Sequence, residues 1–456
     1  MEVDEKRPVL VVTTLSSFLT PFMSSGLNVA LPQMGSEFSA DGITLGWVAN
    51  SYLLVAAMFL VPVGKMADLR GRNRIYTLGT WIFAAASLCL ALAPSAMAAI
   101  VLRAVQGFGG AMVFGTCVAL LSAVYPAREL GRALGINVAA VYSGLSLGPF
   151  AGGLLTEQFG WRSIFAVTAV LAVATALVTT WKLRGERVPA AKEEKFDVEG
   201  SLLFSAAVAA LIYGLSSLPA PRGLWLAGAG VLGLAAFFLW EARVRHPVLE
   251  IGLFRDNPVF AFSSLAALLH YGATWAVGFL LSLYLHFVKG LSPQETGLVL
   301  VAQPVMMAIF SPLAGALSDR VEPRIVASLG MALTCVGLLV LAGAGEGTGI
   351  ALVVAGQVVL GFGFALFSSP NANAIMSSVD RRFHGVASGA LSTVRVFGQT
   401  LSMGISMSII AVFIGHVEIT PAHGEALVKT VRAAFLLFGA LCLGGVFASL
   451  ARGKLR

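Results

Sequence analysis

The chain has 456 residues, of which 57% are hydrophobic and only 12% charged, against about 25% charged in an average soluble domain. A water-soluble fold of this length has nowhere to hide so much apolar surface, so lipid is the expected solvent for much of it. The net charge of +7 does not point to nucleic acid, because the basic residues sit in alternate loops rather than along one stripe.

Runs of about 18 to 25 apolar residues predict an all-α membrane protein with fourteen spans. Their limits are 9–31, 44–63, 75–93, 97–124, 133–155, 162–182, 199–217, 223–241, 259–287, 295–316, 324–343, 349–376, 384–414 and 429–450. Lys and Arg gather at 65–74, 128–132, 182–195, 243–255, 320–324, 381–382 and 452–456, while the intervening loops hold chiefly Arg162, Arg222 and Lys289. This positive-inside bias places both termini in the cytoplasm, and an odd number of spans would break the alternation. The first run is too long for a signal-peptide core and lacks a small-residue cleavage pattern, so it reads as a retained helix. Cys89, Cys117, Cys335 and Cys442 fall within spans without close pairing and read as buried small hydrophobes.

In chain order, the first span closes on Phe22-Met-Ser-Ser-Gly-Leu-Asn-Val-Ala-Leu-Pro32, which puts Met23 and Asn28 inside the membrane. The turn before the third span is Gly64-Lys-Met-Ala-Asp-Leu-Arg-Gly-Arg72, followed by Asn73 and Arg74. Gly64 lets two helices approach. Asp68 can cap the next helix and pair with an arginine, and Arg72 and Arg74 can hold helix ends or lipid phosphates. A charged loop that only sets topology is the alternative. Arg103 stands several residues into the fourth span, where an arginine costs about 2.5–3.5 kcal/mol at a helix centre. Either it faces a polar interior, with Gln106 one turn on, or it snorkels to the surface. Gly144, Gly148 and Gly152 form a four-residue stripe in the fifth span, where the two halves of the chain are expected to touch. Pro149 beside them removes a backbone donor and kinks the helix, and Gly153 follows the stripe.

The stretch 183–198 is the most polar interior segment, and Arg243 to Pro258 reads as an amphipathic segment at the interface. His270 lies mid-span in the ninth run with Tyr271 and Trp275 nearby; it is a hydrogen-bonded core imidazole or a titrating pathway group. Asn371 and Asn373 follow Pro370 in the twelfth, where proline exposes backbone carbonyls. Arg395 stands inside the thirteenth with Gln399 one turn further, as a cavity or gate residue or paired to a carbonyl. No Asp or Glu lies near the middle of a span. The glycine-rich run 343–349 follows no strand and reads as an external turn rather than a phosphate cradle. No zinc-protease, nucleophile-elbow or Walker pattern occurs, and His416 and His423 lack a third ligand. No metal, cofactor or enzymatic activity is expected.

Gly64, Asp68, Gln106 and Gly110 recur 251 residues later as Gly315, Asp319, Gln357 and Gly361, with Arg320 beside the second aspartate. Six spans with loops occupy roughly 180 residues, and the remaining roughly 70 fit two additional helices. The expected organisation is a six-helix bundle over 1–182, a region of cytoplasmic linkers and two inserted helices over 183–258, and a second six-helix bundle over 259–456.

These motifs resemble those of the major facilitator superfamily, and the span count with the Asn28–Pro32 run resembles its fourteen-span drug:proton antiporter family. The resemblance implies two bundles rocking around a central site. It implies that Asp68, Arg72, Asp319 and Arg320 latch the inner gate and that Arg103 and Gln106 serve proton coupling. It identifies Gly144, Gly148, Pro149, Gly152 and Gly153 as an exporter motif. Met23, Asn28, His270, Tyr271, Trp275, Asn371, Arg395 and Gln399 are then the expected cavity residues, and Arg103 of the fourth helix is expected to join those of the first, ninth and thirteenth. The sequence departs from the pattern in three places: Leu69 precedes the arginine that usually follows the aspartate, Asn73 replaces a basic residue, and Met23 stands where relatives carry an aspartate. The implied function is proton-coupled export of amphipathic drugs by a monomer in a plasma membrane, with a small molecule, protons or another cation, and lipids as partners. Export of an anionic metabolite or lipid is the alternative, motivated by more Arg and His than carboxylate inside. A non-transporting scaffold or sensor is a third reading, against which the gate motifs in both halves count.

Overall fold

The computed structural model describes residues 3–183, 196–244, 247–318, 320–380 and 384–453. Fourteen of its helices are long and apolar enough to cross a membrane. They are α1 (Lys6–Phe38), α2 (Gly42–Arg70), α3 (Arg72–Ala91), α4 (Ala96–Val124), α5 (Glu129–Phe159), α6 (Arg162–Lys182), α7 (Val198–Ser216) and α8 (Pro221–Glu241). After them come α9 (Pro258–Phe287), α10 (Pro293–Ser318), α11 (Pro323–Ala342), α12 (Ile350–Ser377), α13 (His384–Phe413) and α14 (Pro421–Ala451). Each matches an expected span, although α1 continues to Phe38 and α14 starts earlier than hydropathy suggested. Among the described residues of the segment before α9 there is one short helix, Gly252–Arg255, and Leu249, Leu253 and Phe254 pack inward against the cluster around Phe260.

Local chemistry sets the helix ends. Asp41 caps α2 by accepting from the Thr44 amide at 2.7 Å. Ser292 and Glu295 close a reciprocal capping box at the start of α10, satisfying two otherwise orphaned amides. At Gly71 the backbone turns with φ +105°, a conformation glycine adopts without a side-chain penalty. That is why α2 and α3 meet there with no intervening loop.

The packing repeats. In the first half α1 lies on α5, α2 on α4, and α3 on α4 and α6; in the second, α9 lies on α13, α10 on α12, and α11 on α12 and α14. The correspondence reaches single contacts. A Cβ on Gly110 would strike the Tyr52 hydroxyl, and one on Gly361 would strike the Gln303 carbonyl. Residues 52 and 303 are again 251 apart, so the faint sequence repeat marks where α4 presses on α2 and α12 on α10. The inserted pair α7 and α8 pack together through Gly214 and Gly230 and lie over α2 and α13, with the Ser205 hydroxyl donating to Met58 O at 3.0 Å. The outer face of α8 is bare, exposing Leu224, Trp225 and Leu232.

The glycine stripe in α5 does not do what was expected of it. Gly144, Gly148 and Gly152 face α1 of their own bundle: a Cβ on Gly144 would meet the Phe18 carbonyl, one on Gly148 the Ser25 hydroxyl, and one on Gly152 the Gly26 Cα at 2.6 Å. Gly153 and Pro149, displaced around the helix by its 100° step, are the residues that touch the other bundle. A Cβ on Gly153 would lie 2.5 Å from Pro293 O, and one on Gly297 would strike Pro149 O.

This geometry separates two alanine substitutions in one helix. Gly148→Ala forces α5 off α1 and is expected to destabilise by about 1–3 kcal/mol. Gly131→Ala, with nothing within 4 Å of the added carbon, is expected to be neutral or stabilising by up to about 1 kcal/mol. Thermal unfolding of the purified variants in detergent checks the order.

Candidate functional site

The loops alternate between two sides of the molecule, here named the turn side, which carries Gly71, and the far side, which carries Asp41. On the far side the two bundles are stapled together. Asp41 bridges Glu418 through the backbone and accepts from His416 Nδ1 at 3.3 Å. Glu157 accepts from the Ser292 hydroxyl at 2.7 Å and the Gln294 amide at 2.9 Å. The Ser282 hydroxyl donates to Asn28 O at 2.5 Å. Gly42 admits Ile419, and Gly46 admits Met407.

From mid-span toward the turn side the bundles part, leaving a cavity of about 670 Å³, within the range typical of sites for drug-sized ligands. Helices α1, α2, α5, α9, α10, α12 and α13 line it, and α4 contributes only Phe114. Its walls offer aromatic faces (Tyr52, Tyr142, Tyr271, Trp275, Phe364), amides (Asn28, Gln303, Gln357, Gln399) and serine hydroxyls. Among the lining residues Arg395 alone carries a full charge. Its guanidinium sits 5.1 Å from the centre of the Tyr271 ring. The Tyr271 hydroxyl in turn shares a 3.2 Å hydrogen bond with Ser368.

The helix break that shapes one wall falls at Trp275 and Ala276, between the two continuous parts of α9, Pro258–Thr274 and Val277–Phe287. The Ala276 amide donates to the Ser402 hydroxyl at 3.1 Å, so α13 satisfies a group that the break exposes.

Of the expected cavity residues, Asn28, Tyr271, Trp275, Arg395 and Gln399 line the cavity, as does Pro149. Met23, His270 and Asn371 do not. Thr20, Ser24 and Asn28 form the cavity face of α1, while Leu19, Met23 and Leu27 form its opposite, fully buried face. The helical period therefore turns Met23 away from the cavity. It rests on Arg103, with Nη1 3.0 Å from the sulfur. His270 is wholly buried, with no hydrogen-bond partner on either ring nitrogen, against the rings of Phe367 at 4.1 Å and Phe364 at 4.9 Å. It is an imidazole in an aromatic wall and not a hydrogen-bonded one. Asn371 anchors the end of α14: its Oδ1 accepts from Arg452 Nη1 at 3.0 Å, and Arg452 also reaches the Ser263 hydroxyl at 3.2 Å. Burial pulls Arg452 down to about 10, with Glu322 working against that and Arg324 with it, so it stays charged at neutral pH.

Arg103 neither snorkels nor lines the cavity. It plugs the gap between α4 and α2, donating from Nε to Val48 O at 3.1 Å, from Nη1 to Gln106 Oε1 at 2.7 Å and from Nη2 to Ala49 O at 3.4 Å. The Tyr52 ring covers it at 4.7 Å. Gln106 passes the chain on to the Ser87 hydroxyl at 2.7 Å. In the turn, Asp68 and Arg72 pair at 2.7 Å, and Arg72 also donates to Ala119 O at 3.2 Å. Asp68 does not cap α3, whose N-terminal position is Gly71, without a side-chain bond. Asp319 lies outside the described residues; Arg320 is exposed beside it.

Sequence reasoning passed over Tyr142, Gln303, Gln357, Phe364 and Ser368, all of which line the cavity. Gln357 had a signal, as the repeat of Gln106. The others are residue types common in any apolar helix, and only the three-dimensional arrangement selects them.

The contact at Met23 yields a charge test. Met23→Asp places a carboxylate against Arg103 and is expected to give folded protein. Met23→Lys sets two buried cations together, an uncompensated charge costing about 3–5 kcal/mol, and is expected to collapse the monodisperse yield in size-exclusion chromatography. Equal yields would show that the Arg103 pocket admits water.

Comparison with known proteins agrees with this architecture. The family model described as Major Facilitator Superfamily matches residues 13–266 and 263–454. The multidrug resistance protein Stp of Mycobacterium tuberculosis is 34% identical over 415 residues, covering 89% of this chain and 76% of that protein. The tetracenomycin C resistance and export protein of Streptomyces glaucescens is 29% identical over 418 residues, covering 90% and 77% respectively. Among solved structures, a bacterial homologue of the human lysosomal transporter Spinster, in an inward-facing and unoccupied conformation, superposes with a TM-score of 0.73 at 16% identity over 99% of this chain and 98% of that one. With two bundles built to one plan and a cavity between them, this multi-pass membrane protein belongs to the major facilitator superfamily of transporters.

Proposed function

We propose that the protein is a secondary active exporter of amphipathic, largely hydrophobic small molecules that works by alternating access as a monomer in a bacterial-type plasma membrane. The observation that carries this reading is the cavity itself: it is drug-sized, mostly apolar, stapled shut on the far side and parted toward the turn side. The positive-inside bias makes the turn side cytoplasmic, so this conformation receives substrate from the cell interior, and both termini lie there. The relatives named for multidrug resistance and for tetracenomycin C export support the direction, as does the stripe of Gly144, Gly148 and Gly152 with Pro149 and Gly153.

In this reading residues 1–182 and 259–456 are the rocking bundles, and 183–258 links them. Asp68 with Arg72, and Asp319 with Arg320, latch the turn side once it closes. The Asp68–Arg72 pair seen here is half exposed, so it contributes at most about 0.5 kcal/mol. Its value lies in contacts made in the other conformation. The far-side seal consists of a few hydrogen bonds and glycine-admitted contacts, weak enough to open when the turn side closes. A transmembrane proton gradient supplies the driving force, with Arg103 and Gln106 as the polar switch of the first bundle.

The seal gives a direct test of rocking. Asp41 and Glu418 pair across the bundles as neighbouring strand residues do, a spacing of about 4.5–5.5 Å between Cα atoms that suits a disulfide. Asp41→Cys with Glu418→Cys is expected to crosslink on oxidation and stop efflux, with full recovery on reduction. Continued efflux by the crosslinked protein would sink alternating access at this seam. For coupling, adding a lipophilic drug to proteoliposomes that hold a pH gradient is expected to dissipate the gradient faster than in protein-free vesicles. Drug movement with no accompanying proton movement would remove the proton from the mechanism.

A further inference from the structure

Among the described residues two arginines are buried, Arg103 and Arg452, and a third, Arg395, is half-buried at the cavity. Arg103 has its guanidinium hydrogens taken up by two backbone carbonyls, an amide oxygen and a sulfur. Arg452 is tied to Asn371 and Ser263 and lies within electrostatic reach of Glu322. Arg395 lines the cavity, whose wall carries no carboxylate. Its Nε has no hydrogen-bond partner among the described residues, a state shared by Arg324 Nε and Arg452 Nη2; the face of Tyr271 lies against it, and Tyr142 is within electrostatic reach. Along the cavity wall there is no Asp, Glu, Lys or His. The described carboxylates sit at helix ends, for example Glu157 and Glu295 on the far side and Asp68 and Asp380 on the turn side.

A cation in that position is held for a partner that is not part of the chain. Tyr271 lies against the guanidinium, and a guanidinium presents a planar donor fork whose geometry matches a carboxylate bidentately. Gln399, one helical turn on, lines the same wall and adds an amide donor on the Arg395 side. Around them Trp275, Phe364, Tyr142 and Tyr52 provide flat apolar surface for an aromatic or polycyclic body. Gln303 and Gln357, on α10 and α12 of the same bundle, supply neutral polar contacts.

We propose that the cavity selects amphiphiles carrying a single acidic group, whose carboxylate becomes the counter-ion of Arg395 while the ring system lies on the surrounding aromatic side chains. This rests on the exporter reading for its biological use but not for its chemistry, because binding is measurable without transport. A permanent cation meets the positive charge of Arg395 with nothing to offset it, so the same wall discriminates against the dications that a carboxylate-lined cavity would attract.

The test uses three probes that share one ring: 1-pyrenebutyrate, its methyl ester, and the corresponding quaternary ammonium. Each is titrated into purified full-length protein in neutral detergent, with tryptophan quenching as the readout. The acid is expected to bind roughly ten- to a hundred-fold more tightly than the ester, as a charge-assisted hydrogen bond implies, and the ammonium most weakly. Arg395→Gln is expected to bring the acid-to-ester ratio close to one, and Arg395→Lys to restore part of it, since the charge returns without the planar fork. Equal affinity for acid and ester in the wild-type protein, or an unchanged ratio in Arg395→Gln, overturns the proposal. Should Arg395→Gln fail to fold, the wild-type ratio and Arg395→Lys still decide it. Displacement of the acid by free oleate assigns the site to soluble acids, and displacement by phosphatidylglycerol alone assigns it to a lipid headgroup; competition by neither overturns it. Efflux of the same probes from proteoliposomes keeps the two readings apart. Acid binding without export leaves this inference standing and the exporter reading fallen, and export without acid preference does the reverse.

Discussion

Helices dissolved in lipid gain little by hiding apolar side chains from one another, because the lipid tails are as apolar as leucine. What holds this protein together is close backbone approach, and nearly every major helix contact is made where a glycine allows it. Gly144, Gly148 and Gly152 seat α5 on α1, Gly107 and Gly110 seat α4 on α2, and Gly330 and Gly363 seat α11 and α12 on each other. The same device, used sparingly, joins the bundles at Gly153, Gly297, Gly42 and Gly46. The difference in number is what makes each bundle a stiff body and the seam between them a joint. Dense glycine contacts within a bundle leave no slack, whereas a few at one end of the seam leave the other end free to part.

A second constraint follows from the first. Charges placed in such a medium must be matched or used. Arg103 is matched by carbonyls that α2 turns toward it, and its bonds link α1, α2 and α4 in this conformation. Met23, beside it, fills the remaining space with a polarizable sulfur. The arginine thus stands entirely on neutral acceptors. Arg395 in the second bundle has no such acceptors and opens onto the cavity. The electrostatic character of the substrate space is therefore set by α13 rather than by α1.

Much of this was legible before any coordinates. Hydropathy and the alternation of basic loops gave the fourteen helices, and the repeat at Gly110 and Gly361 named in advance two residues at which equivalent helices press together. Asn28, Tyr271, Trp275, Arg395 and Gln399 were picked out as polar or aromatic groups in apolar runs and do border the cavity. Rotation about the helix axis was only faintly marked. In α1 the short polar stripe of Thr20, Ser24 and Asn28, which turns Met23 into the bundle, stands among hydroxyls on other faces such as Ser16 and Ser17 and does not single out the cavity side. His270 and Asn371 failed for the same reason. The glycine stripe misled because a four-residue spacing predicts a close helix contact without saying which partner supplies it.

The inserted pair α7 and α8 has a mechanical consequence. One serine of the pair, Ser205, is bonded to α2 in the first bundle, while the Leu215 carbonyl, near the other end of α7, accepts from Ser408 of α13 in the second. A single helix is thus pinned to both moving parts at points ten residues apart in sequence, roughly 15 Å along its axis. It behaves as a strut laid across the joint. When the bundles tilt, the strut must either pivot about one pin or let the other go, and the choice fixes how far the side facing α2 and α13 can gape toward the surrounding lipid. In the rocking reading proposed above the extra helices thereby limit the stroke, and they cover the flank between α2 and α13.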